Sequence, residues 1–154
     1  MTNPPQQRCE DLILKLQRPV SLKTQKRGGG RRRQESLVTK YDYDLENDSI
    51  FFYGSNKKYR SSIDLDGIIL DISEDNQIMA IEILDASNRF NLAKEDLRNI
   101  KYFEARIEVS EENIRLTMKM SVNKRNKLVD KGLDALGLNS MNLPISTQGI
   151  ALSC

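Results

Sequence analysis

The hydrophobic pattern of this chain changes character at Ser36. Before it lies one short apolar patch, Leu12-Ile13-Leu14 with Leu16, bounded by Pro4-Pro5 and Pro19. After it the period is two. Leu37, Thr39, Tyr41 and Tyr43 alternate with Val38, Lys40 and Asp42, as a half-buried strand requires. Ile50-Phe51-Phe52-Tyr53 is a β-rich run between the turn cluster Leu45–Ser49 and Gly54-Ser55-Asn56. Tyr59, Ser61, Ile63 and Leu65 alternate again up to Asp66-Gly67, a tight-turn dipeptide.

The runs Ile68–Ile72 and Ile78–Leu84 then flank the polar segment Ser73–Gln77, which predicts a hairpin. The spacing around Asn91, Ala93, Leu97 and Ile100, with Glu95 and Asp96 early, predicts one short helix over about residues 91–100. Phe103, Ala105, Ile107 and Val109 alternate with charged residues. After Ser110–Asn113, Ile114, Leu116, Met118, Met120 and Val122 alternate with Arg115, Thr117, Lys119 and Ser121. This predicts an antiparallel hairpin with one apolar and one charged face.

Beyond it, Leu128, Val129, Leu133 and Leu136 suit a short helix weakened by Gly132, and the last residues read as an extended tail. The expected fold is therefore a β-rich α+β domain over residues 36–122. It is built as an antiparallel meander or hairpin sheet with one short helix. A flexible basic arm over 1–35 precedes it, and an irregular segment over 123–154 follows.

Charge sharpens this division. Residues 1–40 carry ten Lys/Arg against three Asp/Glu, whereas residues 41–154 carry fourteen against nineteen. The arm segment KTQKRGGGRRRQE has too little apolar surface to offset backbone ordering, so disorder is expected over 22–35. With no membrane-length apolar run and no leader pattern, the expected location is cytoplasmic and no membrane partner is expected.

Candidate chemistry is sparse. The chain has no histidine, which removes the Ser-His-Asp and Cys-His nucleophile systems and the usual zinc ligands. Cys9 and Cys154 cannot by themselves fill a tetrahedral zinc site. Asp64, Asp66, Asp71 and Asp85 are the candidate metal ligands, should the strand ends bring them together. The spacing of a calcium loop is absent, and turns with a solvated sheet face explain these carboxylates more simply. Glu82 alternates with Ile81 and Ile83, as a solvent-facing strand residue does.

Lys26, Arg27, Arg31, Arg32 and Arg33 lack the spacing of a phosphate loop. On free backbone they suit nonspecific nucleic-acid binding. Tyr41, Tyr43, Phe51, Phe52, Tyr53 and Tyr59 suit base stacking or, more simply, a β core.

The order Tyr41-Asp42-Tyr43-Asp44, Asp48-Ser49-Ile50-Phe51-Phe52, Ile69-Leu70-Asp71 and Asn76 through Ser87 resembles a family of small archaeal and bacterial proteins. That family is known only as domain of unknown function 2283. Ala80 stands where the family usually has glycine. The resemblance covers residues 41–87, extends in longer members to about Val122, and has no counterpart for the basic arm. It implies a compact β-rich fold without an established activity or cofactor. Some members resemble partners in toxin–antitoxin gene pairs, which implies protein binding.

The sequence thus points to a non-enzymatic interaction module. Its acidic domain binds a protein partner or itself, and its arm adds nucleic-acid or ribonucleoprotein affinity. An antitoxin-like neutraliser of a basic protein and a metal-dependent hydrolase using the aspartates are the rival readings.

Overall fold

The computed structural model of the protein describes residues 34–35, 40–54 and 56–153. Two five-stranded sheets carry the fold. The first is contiguous in sequence: β2 (Lys40–Asp44), β3 (Ser49–Tyr53), β4 (Tyr59–Asp64), β5 (Ile68–Ser73) and β6 (Ile78–Ile83). It is wholly antiparallel, in the order β2-β3-β6-β5-β4. A short helix α1 (Ala86–Phe90) and a 3-10 turn (Lys94–Asn99) follow. The second sheet holds β7 (Ile100–Val109), β8 (Asn113–Lys124), β9 (Lys127–Leu138) and β10 (Ser146–Ser153). The two-residue strand β1 (Gln34–Glu35) pairs parallel to β10, giving the order β1-β10-β7-β8-β9.

Alternation places the apolar face of each sheet against the other, and one core results. Ile50, Phe52, Ile68, Leu70, Ile72, Ile81 and Ile83 of the first sheet are fully buried. So are Phe103, Ile107, Leu116 and Leu152 of the second. The rings of Phe52 and Phe103 stack across the layers with centroids 3.7 Å apart. Gln148, a buried polar residue of β10, accepts the Ile78 amide at 2.8 Å and so joins the two sheets at the bulge between β5 and β6. The Tyr41 hydroxyl donates to the Arg98 carbonyl and ties β2 to the 3-10 turn.

The turns use residues that tolerate a left-handed backbone. Asp66 and Gly67 have φ of 54° and 88°, and Arg125 and Asn126 have 51° and 62°, the signs a two-residue hairpin turn demands. The stretch from Ile68 to Ile83 is a structural hairpin, with Ile81 and Ile83 inward and Glu82 outward.

Three expectations are corrected. Asn91 does not open a helix; it ends α1 in a left-handed conformation at φ 53°. Of the predicted helical face over 91–100, only Leu97 and Ile100 are buried, because the chain takes a tighter 3-10 turn there. The segment after residue 122 is neither irregular nor helical: β9 pairs along its full length with β8, and β10 sits inside the second sheet. Within the arm, Gln34 and Glu35 pair with Gln148 and Gly149, whereas the disorder expected upstream lies outside the described residues.

Candidate functional site

The outward face of the first sheet is the surface with the most pronounced chemistry. Register places Asp42, Phe51, Glu82, Ile69 and Asp64 in one row across its five strands. In the adjoining row Asp71 lies between Ala80 and Ser62. Phe51 and Tyr53, two apart on β3, share this face and stack with centroids 5.0 Å apart. Both are half-buried and face away from the core, while Asp42 and Asp64 are exposed. An aromatic pair with Asp42 and Glu82 beside Phe51 and Lys40 beside Tyr53 is unnecessary for packing, since the core face of β3 already buries Ile50 and Phe52.

The four candidate metal ligands do not converge. Asp64 accepts the Gly67 amide at 2.7 Å and shapes the turn. Asp66 sits in that turn at φ 54°. Asp71 accepts the Ser62 hydroxyl at 2.7 Å on the sheet face. Asp85 takes a left-handed backbone before α1 and accepts the Asn88 side chain at 2.8 Å. Among the described residues no cluster of three or more acidic or thiol ligands forms. The arm cations Lys26, Arg27, Arg31, Arg32 and Arg33 lie outside the described residues.

Sequence reasoning missed a constellation that the structure brings together. Asp48, at the β2–β3 turn, is buried, and its carboxylate accepts the Ser87 hydroxyl at 2.6 Å, the Ser87 amide at 3.1 Å and the Tyr43 hydroxyl at 2.7 Å. Its carbonyl accepts the Ala86 amide at 2.9 Å. Asp48 therefore caps α1 from a distance, since Asp85 offers no side-chain cap. Burial opposes its ionisation, but the bonds from Ser87 and Tyr43 outweigh it and hold the carboxyl below its usual range. Burial, then the neighbouring Asp48, push the Tyr43 hydroxyl well above its ordinary value. The signal lay in the conjunction of Tyr43 and Asp48 with Ser87, which is 39 residues from Asp48 in the chain.

The outer face of the second sheet has an open hollow of about 950 Å³. Arg106, Arg115, Ser110, Thr147, Leu136 and Ile145 are among the residues that line it. Arg106 pairs with Glu108 at 3.6 Å.

A family model described as "Protein of unknown function (DUF2283)" matches residues 40–87, which span the first sheet, α1's first residues and the Tyr43–Asp48–Ser87 constellation. The chain is also 38% identical over 108 residues to "Uncharacterized protein MJ0789" of Methanocaldococcus jannaschii, covering 70% of this chain and 93% of that protein. The chain belongs to this family of unknown function. It is 95% identical over 122 residues to a Methanosarcina mazei protein named "Putative hypoxanthine phosphoribosyltransferase", covering 79% of this chain and 99% of that protein. No solved structure matches it. For this DUF2283 member, the residues that carry the family resemblance hold the first sheet to the helix after it. The acidic aromatic face lies on the same unit.

Proposed function

We propose that this protein is a binding module whose first sheet receives a cationic, extended segment of a protein partner on its outer face. The observation that carries this reading is the solvent-side stack of Phe51 on Tyr53, set among Asp42, Asp64, Asp71 and Glu82. Guanidinium and ammonium groups are attracted both to aromatic faces and to carboxylates, so this pairing suits Arg- or Lys-rich chains. A basic partner of the toxin class is one such ligand. The basic arm, by its charge alone, adds sequence-indifferent affinity for nucleic acid.

Titration of an Arg/Lys-rich peptide, followed by amide chemical shifts, tests the reading. Shifts on β2, β3 and β6 that disappear in Phe51→Ala support it. Equal affinity in Phe51→Ala and in Asp42→Asn/Glu82→Gln would defeat it.

The name of the Methanosarcina mazei relative raises a second reading, transfer of a phosphoribosyl group to hypoxanthine. The hollow that presents Arg106 and Arg115 beside Ser110 and Thr147 favours it, because such groups bind phosphate. Incubation with hypoxanthine, 5-phosphoribosyl diphosphate and magnesium decides the matter. Nucleotide formation that is lost in Arg115→Ala would replace the binding-module reading with an enzyme.

A further inference from the structure

Strand β9 ends the second sheet, and among the described residues no strand pairs with its far side. It is 12 residues long and contains no proline. The turn at Arg125-Asn126 closes on the pair Lys124 and Lys127, so the odd-numbered residues of β9 bond to β8. The Asn139 amide continues that alternation, donating to the Glu112 carbonyl at 2.8 Å. Leu128, Asp130, Gly132, Asp134, Leu136 and Leu138 consequently aim their backbone N–H and C=O groups at the free edge. Their side chains are exposed on the outer face, where Leu128, Leu136 and Leu138 are 67%, 61% and 73% accessible. An edge of this length with no strand beyond it among the described residues is a template for another strand, with α1 the helix that approaches β9.

We infer that β9 pairs antiparallel with β9 of a second copy about a two-fold axis through Leu133, joining two five-stranded sheets into one. Residues opposite each other in a ladder share a face, so the axis must pass through a residue. An axis at Gly132 sets Asp130 against the second copy's Asp134. An axis at Asp134 sets that carboxylate against itself, and one at Lys131 does the same with an ammonium group. The Leu133 axis avoids like charges and engages every residue from 128 to 138. Leu128 then faces the second copy's Leu138, and half-buried Lys131 faces its Ala135.

Charge complementarity singles out the same register. Lys119 lies opposite Gly132 on β9, and Gly132 lies opposite the second copy's Asp134. Because Gly132 has no side chain, Lys119 is free to extend over it toward that carboxylate. The gap is two strand spacings, about 10 Å, which the two side chains span together. Among the described residues neither Lys119 nor Asp134 closes an ion pair, although Glu104 of β7 lies opposite Lys119 and shares that ammonium group with the contact. Symmetry makes the bridge twice.

Sedimentation of the full chain, with and without substitutions, tests this. The wild type sediments as a dimer. Asp134→Lys weakens the dimer about tenfold or more by setting two cations together across Gly132. Lys119→Glu/Asp134→Lys restores it, and a circular dichroism spectrum of Asp134→Lys alone that matches the wild type shows that the single variant folds. In a Cys9→Ser/Cys154→Ser background, Leu133→Cys forms an intermolecular disulfide under mild oxidation. The symmetric pair is of the closely spaced kind, with Cα atoms about 4.5 Å apart. Leu136→Cys does not cross-link. A chain that stays monomeric at all concentrations overturns the inference. So does a dimer indifferent to the charge swap, or one that cross-links at residue 136 rather than 133.

Discussion

The Ser87 hydroxyl donates to the Asp48 carboxylate at 2.6 Å across 39 residues of chain, and the Ser87 amide donates to the same group. This one carboxylate fixes the start of α1 against the β2–β3 turn. Asp48→Asn should therefore destabilise the protein by about 1–3 kcal/mol, read from the urea midpoint at neutral pH. A change within about 0.5 kcal/mol would show that the cap is dispensable.

The same group sets a pH dependence. The folded state depresses the Asp48 pKa, so its contribution is complete above the unfolded carboxyl's titration and is lost as pH falls through the folded value. Wild-type Tm should fall from about pH 4 downward. Part of that fall should be missing in Asp48→Asn. Parallel curves for the two proteins would contradict this.

Ile81 and Glu82 are neighbours with opposite fates. Ile81 is fully buried and Glu82 faces outward. Ile81→Ala should cost about 2–5 kcal/mol, and Glu82→Gln should stay within roughly 0.5 kcal/mol. Thermal unfolding with chelator and with excess magnesium, manganese or calcium checks both. A metal-induced rise in wild-type Tm that vanishes in Glu82→Gln would point instead to a metal site on the sheet face.

These outcomes follow from strands that were legible in the sequence, where apolar and polar residues alternate and the two faces meet different solvents. The hairpin of Phe103–Val122 was plain for that reason. Strand β9 was not, because its water-facing positions include Leu128, Leu136 and Leu138 while its core-facing ones include Lys131 and Gly137. That inversion mimics a helical spacing. Strand β10 was obscured by Gln148, whose burial makes sense only beside the Ile78 amide. The acidic aromatic face was half-legible: its residue types were visible, but the pairing that lines them up was not.

Strand β10 supplies a prediction of its own. It lies between β1 and β7 and buries Ile150 and Leu152. Removing residues 146–154 should abolish cooperative unfolding, as followed by circular dichroism. Retention of a sharp transition would mean that the remaining strands close the core without it.

The basic arm should bind nucleic acid weakly and without sequence preference. Replacing Arg31, Arg32 and Arg33 with Ala should lower the slope of log affinity against log salt by about 3. Binding that survives both this change and high salt would place the contact elsewhere, on the aromatic strands.

The two sheets occupy successive stretches of the chain, and this order governs how the protein leaves the ribosome. The first sheet is complete at Ile83, whereas the layer that covers it closes only with β10, ending at Ser153. Until β7 is made Phe52 has no Phe103 to meet it, and until β10 is made the wall of Phe52, Leu70 and Ile81 is only partly covered. The nascent chain passes through a stage at which a finished half of the protein is adhesive, and slowed or truncated translation prolongs that stage. Aggregation during synthesis should therefore track events after Ile83 has been made, far from the residues that aggregate.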